Sequence, residues 1–150
     1  MLQDVVIFMH SECGPDGEET EAMDFSTDGY YTYEDNVGCI SYMESEITGM
    51  GGTRTSVFVM PDRVVIDRDG PVTSRMEFSE GELSSFLYNT PYGNATMGLR
   101  TRSIRQNMNA DGGNVEIDYV IDLEHTFATR NRFVITVEKA GGSDNVQPRS

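Results

Sequence analysis

Five residues carry side chains that suit a small-molecule pocket, and they fall on four separate predicted strands. Tyr42 and Glu44 alternate on one predicted strand, and Tyr88 lies on another. Arg75 and Arg100 each lie in mid-strand among apolar neighbours. If these groups lined the inside of a sheet, they would bind a small, partly apolar or anionic ligand. We expect Glu44 and one arginine to supply the polar anchor.

The same side chains also fit an outward orientation, because tyrosine and arginine pack their apolar stems along the outer face of a sheet. Glu44 and Glu46 share one face of a predicted strand, and charge pairing across the sheet with Arg54 is favoured over a catalytic pair of acids. Nucleophilic catalysis would need a base, yet neither His10 nor His125 lies in a recognisable catalytic motif. We expect no catalytic residue and no enzymatic activity; a hydrolase or isomerase site at a barrel mouth is the weakest alternative.

Apolar and polar residues alternate with a period of two through nearly the whole chain. The clearest case is 115–123, where five apolar side chains occupy the odd positions. This period predicts strands that place one face on a core and the other in water. Ten strands are predicted, near residues 2–10, 20–32, 37–46, 53–60, 63–69, 72–79, 83–89, 95–108, 114–125 and 127–138.

Short loops join these strands, so neighbours in sequence should pair in antiparallel, up-and-down order. Ten strands in one domain would leave exposed edges, which closure into a barrel removes. The sequence therefore predicts an all-β fold, a single antiparallel up-and-down β-barrel of about 8–10 strands over residues 1–139. Gly98, inside a strand, predicts a bend or bulge. Residues 140–150 lack periodicity and are expected to be disordered.

Charge excludes several classes of partner. The chain has 25 acidic and 11 basic side chains, and residues 1–50 contain twelve Asp or Glu but no Lys or Arg. Such a field repels phosphates, so we expect neither nucleic-acid nor membrane binding. The acidic N-terminal third could instead bind a basic protein, which is the alternative function. Two cysteines and no signal peptide predict a cytoplasmic protein with free thiols.

Two short motifs resemble metal sites without completing them. The run Asn107-Met-Asn-Ala-Asp-Gly112 imitates the start of a calcium loop, but its twelfth position is Asp118 and its flanks have the period of strands, so a hairpin turn is favoured. His10 and Cys13 would need Cys39 and His125 to complete a zinc set. We expect no metal ion and no cofactor.

Several runs occur in the same order as in a known protein family. They are Tyr42-Met-Glu-Ser-Glu-Ile-Thr-Gly-Met-Gly-Gly-Thr53, Leu87-Tyr-Asn-Thr-Pro-Tyr-Gly93, and shorter runs at 74–78, 98–101, 112–119 and 130–133. On these residues the chain resembles the DUF1934, or YwiB-like, family of bacterial proteins over residues 4–138. The resemblance implies a lipocalin-like, calycin-type barrel without an assigned reaction or catalytic residues. The chain has no tryptophan, so the Gly-x-Trp feature of secreted lipocalins is missing.

Overall fold

A computed structural model describes residues 2–15, 19–123 and 127–140. Within these ranges the chain forms ten β-strands and one turn of 3₁₀ helix, η1 (Glu46–Thr48). The strands are β1 (Gln3–Pro15), β2 (Glu21–Glu34), β3 (Val37–Met43), β4 (Arg54–Val59), β5 (Val64–Asp69), β6 (Ser74–Phe78), β7 (Leu83–Thr90), β8 (Gly93–Gln106), β9 (Gly113–Leu123) and β10 (Phe127–Lys139). Residues 141–150 of the predicted disordered tail lie outside the described residues, as does His125.

Buried and exposed residues alternate along the strands, as the period of two in the sequence predicts. In β6, Ser74, Met76 and Phe78 are buried while the two residues between them are exposed. One face of each strand therefore packs inward, and ten such faces enclose an apolar interior. The prediction of an all-β, antiparallel barrel is confirmed.

The two ends of the chain close the barrel. The strand order is β6-β5-β4-β3-β2-β1-β10-β9-β8-β7, so the first and last strands lie side by side in the middle of the sheet. They pair antiparallel at eleven consecutive positions, from Val5 opposite Lys139 to Pro15 opposite Thr129. This ladder removes the edges that β1 and β10 would otherwise expose.

The barrel has a seam between β6 and β7, so the prediction that all sequence neighbours pair is wrong at this connection. In the described chain one isolated bridge, Thr73 with Asn89, joins the two sides of the seam by backbone hydrogen bonds. After β6 the chain turns towards β8 instead. The Gly81 amide donates to the Thr101 carbonyl at 2.9 Å, and the Thr101 amide donates to the Glu82 carbonyl at 3.2 Å. The barrel is therefore nearly closed.

Two strand ends differ from prediction by three residues or more. β1 continues to Pro15 instead of ending at residue 10, because β10 and β2 both extend alongside it. Pairing with both neighbours thus carries the strand through Gly14 and Pro15. β3 ends at Met43, three residues before the predicted end, and the chain then enters η1.

Among residues 2–15, 19–123 and 127–140, no helix has the length and apolar composition needed to cross a membrane.

Two glycines within strands differ in how tightly they are packed. A Cβ atom on Gly29 would lie 2.5 Å from Ile7 Cδ1 and 2.6 Å from the Ser41 carbonyl oxygen, so this position requires glycine. A Cβ atom on Gly98 would meet Asp122 at 3.6 Å or more. The predicted bulge lies further along β8, between Thr101 and Ser103, and not at Gly98.

We therefore expect Gly29→Ala to destabilise the fold by about 1–3 kcal/mol, the usual cost of overpacking a core. Gly98→Ala is the matched control and should change the unfolding free energy by less than about 1 kcal/mol, because its Cβ has room. Urea unfolding of both variants measures the difference. Equal stability of the two variants would contradict the close packing at Gly29.

Candidate functional site

A row of polar side chains crosses the inner wall of four neighbouring strands. Tyr42 on β3 lies opposite Thr55 on β4, Thr55 lies opposite Arg68 on β5, and Arg68 lies opposite Ser74 on β6. Tyr42, Thr55 and Ser74 are buried. Residues directly opposite each other on one face of a sheet are in contact distance, so the row forms a continuous polar strip in an otherwise apolar wall.

Glu44 extends this strip beyond the end of β3. The Thr48 hydroxyl donates to Glu44 Oε1 at 2.9 Å, and the Thr55 hydroxyl donates to Oε2 at 2.5 Å. The backbone amide of Glu44 donates to the Thr53 carbonyl at 2.8 Å, so Glu44 is held beside the residue that precedes β4. Its side chain is 2% exposed. Both carboxylate oxygens thus already have a donor, as a buried charge requires.

Arg68 is the positive partner of Glu44, but its hydrogen bonds are incomplete. Its Nε lies 4.0 Å from Glu44 Oε2, which is an ion-pair separation and too long for a hydrogen bond. Its Nη1 makes a 3.8 Å contact with the sulfur of Met76, a weak acceptor. The Nε is buried and has no hydrogen-bond partner among the described residues. Buried donors without a partner are rare in folded proteins, so this group calls for a structural or functional explanation.

A cavity of about 240 Å³ adjoins this pair inside the barrel. Glu44 and Arg68 are the two charged residues among those lining it. Tyr42, Tyr119, Thr48 and Ser11 supply hydroxyl groups, and the remaining lining side chains are apolar: Met23, Phe25, Met50, Ile66, Met76 and Phe133. A mostly apolar hollow with a few convergent polar groups is the usual form of a small-molecule site.

The two tyrosines that line the cavity are held in their neutral form. Burial raises the pKa of Tyr42, and the negative charge of Glu44 adds to the effect. Burial raises the pKa of Tyr119 to about 12, although the Arg68 charge acts in the opposite direction. The Tyr119 ring packs edge-on against Phe78 with centroids 4.9 Å apart. Both phenols therefore keep their protons at neutral pH and act as hydrogen-bonding groups.

The structure brings two of the five predicted ligand residues together. Tyr42 and Glu44 both line the cavity. Tyr88 is half-buried and packs against the core without lining that cavity. Arg75 lies on the outer face, 58% exposed, between Asp67 and Glu77. Arg100 is also exposed on the outer face.

The arginine that lies beside Glu44 at the cavity is Arg68, which sequence reasoning missed because it begins the turn-like run Arg68-Asp-Gly-Pro71. The usable signal was the alternation of Val64, Ile66 and Arg68, which places all three on one face. The same argument, applied to Met76 and Phe78, would have placed Arg75 outside. Glu44 and Glu46, expected to pair across the sheet with Arg54, separate instead: Glu44 is buried and Glu46 is exposed.

Two short sequence motifs resembled metal sites, and their residues do not form one in the described structure. In the part of the chain that the structure describes, no group of three or more His, Cys, Asp or Glu side chains converges on a common point. Cys13 is exposed and Cys39 half-buried, and both thiols are free. Residues 107–112 form the predicted hairpin turn, closed by an Asn109–Gly112 bridge between β8 and β9.

His10 instead belongs to a chain of charges on the outer face of the barrel. Its Nδ1 lies 2.6 Å from Asp24 Oδ1 and its Nε2 lies 2.8 Å from Glu12 Oε2. Glu12 also accepts from Arg132, which donates in turn to Glu116. The hydrogen bonds to Glu12 and Asp24 raise the pKa of His10, and the bond to His10 lowers the pKa of Glu12.

Comparison with known proteins gives one family and one well-matched relative. The family model described as "Domain of unknown function (DUF1934)" matches residues 7–135. The chain is 28% identical over 140 residues to the "Uncharacterized beta-barrel protein YwiB" of Bacillus subtilis (strain 168), covering 92% of this chain and 96% of that protein. The crystal structure of the ywiB protein from Bacillus subtilis superposes with a TM-score of 0.81 at 24% identity, covering 93% of each chain. The resemblance drawn from the sequence runs is confirmed.

The His10 network predicts a pH dependence of stability. A raised folded-state pKa means that the contribution of protonated His10 is fully present below pH 6.5, its ordinary value, and is lost as the pH rises through the folded value. The lowered pKa of Glu12 keeps its charge in place down to pH 4.5 and below. The stability difference between the wild type and His10→Gln should therefore be largest between pH 4.5 and 6.5 and shrink at higher pH. Urea unfolding across this range measures it; a difference that grows with pH would contradict the network.

Proposed function

The chain belongs to the DUF1934 family, and we propose that this β-barrel binds a small, partly apolar molecule in its internal cavity. The buried Nε of Arg68, without a hydrogen-bond partner in the described chain, carries the proposal. An unsatisfied buried donor costs about 1–3 kcal/mol. A guest that places an acceptor beside Arg68 would recover that free energy on binding.

The rest of the cavity suits the apolar part of such a guest. Phe25 and Phe133 offer ring faces, and Met23, Met50 and Met76 offer flexible side chains that adapt to irregular shapes. The volume of about 240 Å³ lies below the ~300–1,000 Å³ of sites for drug-sized ligands. A single ring with one polar substituent is the size we propose.

The proposed mode of action is that of a lipocalin-like carrier, since up-and-down barrels of this kind hold one small ligand inside. We assign Glu44 a binding role and not a catalytic one. Its two oxygens already accept hydrogen bonds from Thr48 and Thr55, so it positions Arg68 instead of serving as a base. We also propose a cytoplasmic location, because Cys13 and Cys39 are free thiols.

Methionine methyl NMR tests ligand binding with single-ring probes: benzamide, benzoate and benzyl alcohol. At least one probe should shift the methyl signals of Met23, Met50 and Met76, which line the cavity, and leave Met43 and Met60 unchanged. At a concentration of about one hundred times Kd it should also stabilise the fold by about 2.7 kcal/mol.

The matched variants for this experiment are Ser11→Leu and Ser26→Leu. Ser11 lines the cavity, so leucine there should occupy part of the volume and weaken binding at least tenfold. Ser26 is exposed on the outer face of β2, and its variant should bind as the wild type does. Uniform small shifts of all methionines, or equal binding by the two variants, would refute binding inside the barrel.

A second candidate function is docking of a basic protein on the acidic N-terminal third. One outer groove of about 440 Å³ favours it, because it combines Asp4 and Asp28 with two exposed apolar side chains. These are Tyr30, 46% exposed, and Met43, 49% exposed. Arg54 also lines the groove and reduces its negative charge. The fitting partner would present lysines around a small apolar residue.

A soluble lysine–leucine peptide is the probe for this second function. Asp4→Asn with Asp28→Asn should weaken its binding several-fold, since both charges flank the groove. The control removes two exposed charges elsewhere, with Asp62→Asn and Glu82→Asn. Binding should also fall in 1 M salt, where charges are screened beyond ~3 Å. Equal losses in the two double variants would show attraction by net charge alone and eliminate the groove.

A further inference from the structure

We propose that the cavity selects an uncharged ligand whose head group is a hydrogen-bond acceptor, such as the carbonyl of an amide or ketone, and that Glu44 excludes carboxylates. The inference rests on the proposed function, because it concerns the same cavity. It departs from the anionic ligand that the sequence alone allowed.

Charge balance gives the first argument. Glu44 and Arg68, with side chains 2% and 15% exposed, are the charged residues among those lining the cavity, and their charges cancel. A carboxylate guest would add a third charge and leave a net negative charge beside the buried Glu44. Burying an uncompensated charge is strongly unfavourable. The formal charge of −14 on the whole chain opposes an anion further.

The free hydrogen-bonding groups give the second argument. Each carboxylate oxygen of Glu44 already accepts one hydrogen bond, from the hydroxyl of Thr48 or of Thr55. The Arg68 Nε remains a donor without a partner in the described residues. Tyr119, which lines the same cavity, also makes no hydrogen bond to any residue within the described ranges. The donor without a partner that the wall offers a guest is therefore the Arg68 Nε, and the group complementary to it is an acceptor that carries no charge.

Glu44 is thus a specificity-determining residue. In Glu44→Gln the side chain keeps its size and one accepting oxygen, but the charge is gone. Arg68 then becomes an uncompensated cation beside the cavity, and it should take a carboxylate as its counter-ion in a paired geometry. The preference of the barrel should reverse from a neutral to an anionic ligand.

The experiment compares benzamide with benzoate, which differ at the head group and share the ring. Dissociation constants are measured from the methyl signals of Met23, Met50 and Met76. The wild type should bind benzamide at least tenfold more tightly than benzoate. Glu44→Gln should shift this ratio at least tenfold towards benzoate. Glu46→Gln removes the same charge from an exposed position two residues away and should leave the ratio unchanged.

The outcomes separate the two proposals. If the wild type prefers benzoate, or if Glu44→Gln leaves the ratio unchanged, the charge-balance inference is wrong while cavity binding stands. If no probe moves the three cavity methionines in any variant, the proposed function falls together with the inference.

A second variant covers the case in which Glu44→Gln does not fold. Arg68→Met leaves Glu44 as the uncompensated charge, so this variant should gain binding of the cation benzamidine by at least tenfold over the wild type. Absence of that gain would overturn the inference.

Discussion

The ladder between β1 and β10 is the constraint on which the rest of the structure depends. Eleven consecutive residue pairs join the two ends of the chain, and they turn a ten-stranded meander into a barrel. Only after this closure do the alternate residues of all ten strands face one interior. The weak point is displaced to the seam between β6 and β7, where, among the described residues, one isolated bridge joins Thr73 to Asn89. Closure by non-local pairing also predicts slow folding, because the entropy of loop closure is lost before these contacts form.

Inside the barrel, burying the row of polar side chains costs free energy of folding that burying an apolar row would not cost. Tyr42, Thr55, Arg68 and Ser74 lie opposite one another on four adjacent strands, although the rest of the wall is largely apolar. Two of these side chains, Arg68 and Ser74, retain a buried polar atom without a partner in the described residues. Buried polar networks that are incompletely satisfied are destabilising, so a purely structural role explains the row poorly. The proposed ligand-binding role would explain why the polar row lies beside the cavity.

The sequence was sufficient for the fold because one signal, alternation, decides both the strands and their inner faces. It allowed an inward position for Tyr42 and Glu44 without deciding between the two faces, and the turn chemistry of Asp69-Gly70-Pro71 hid the inward position of Arg68. Arg75 and Arg100 attracted attention by lying among apolar residues, while strict counting from Met76 and from Leu99 puts both outside. The seam and the cavity could not be predicted, because they depend on tertiary pairing and on the volumes of side chains from many strands.

The central claim is that Arg68 holds a donor in reserve for a guest, and the Nε–H signal of Arg68 in a ¹⁵N NMR spectrum reports on it directly. The account predicts that saturation with benzamide moves this signal towards a hydrogen-bonded shift and slows its exchange with water. The Nε–H signal of Arg100, exposed on the outer face, should stay where it is. An Arg68 signal that remains unchanged while the cavity methionines respond would contradict the claim.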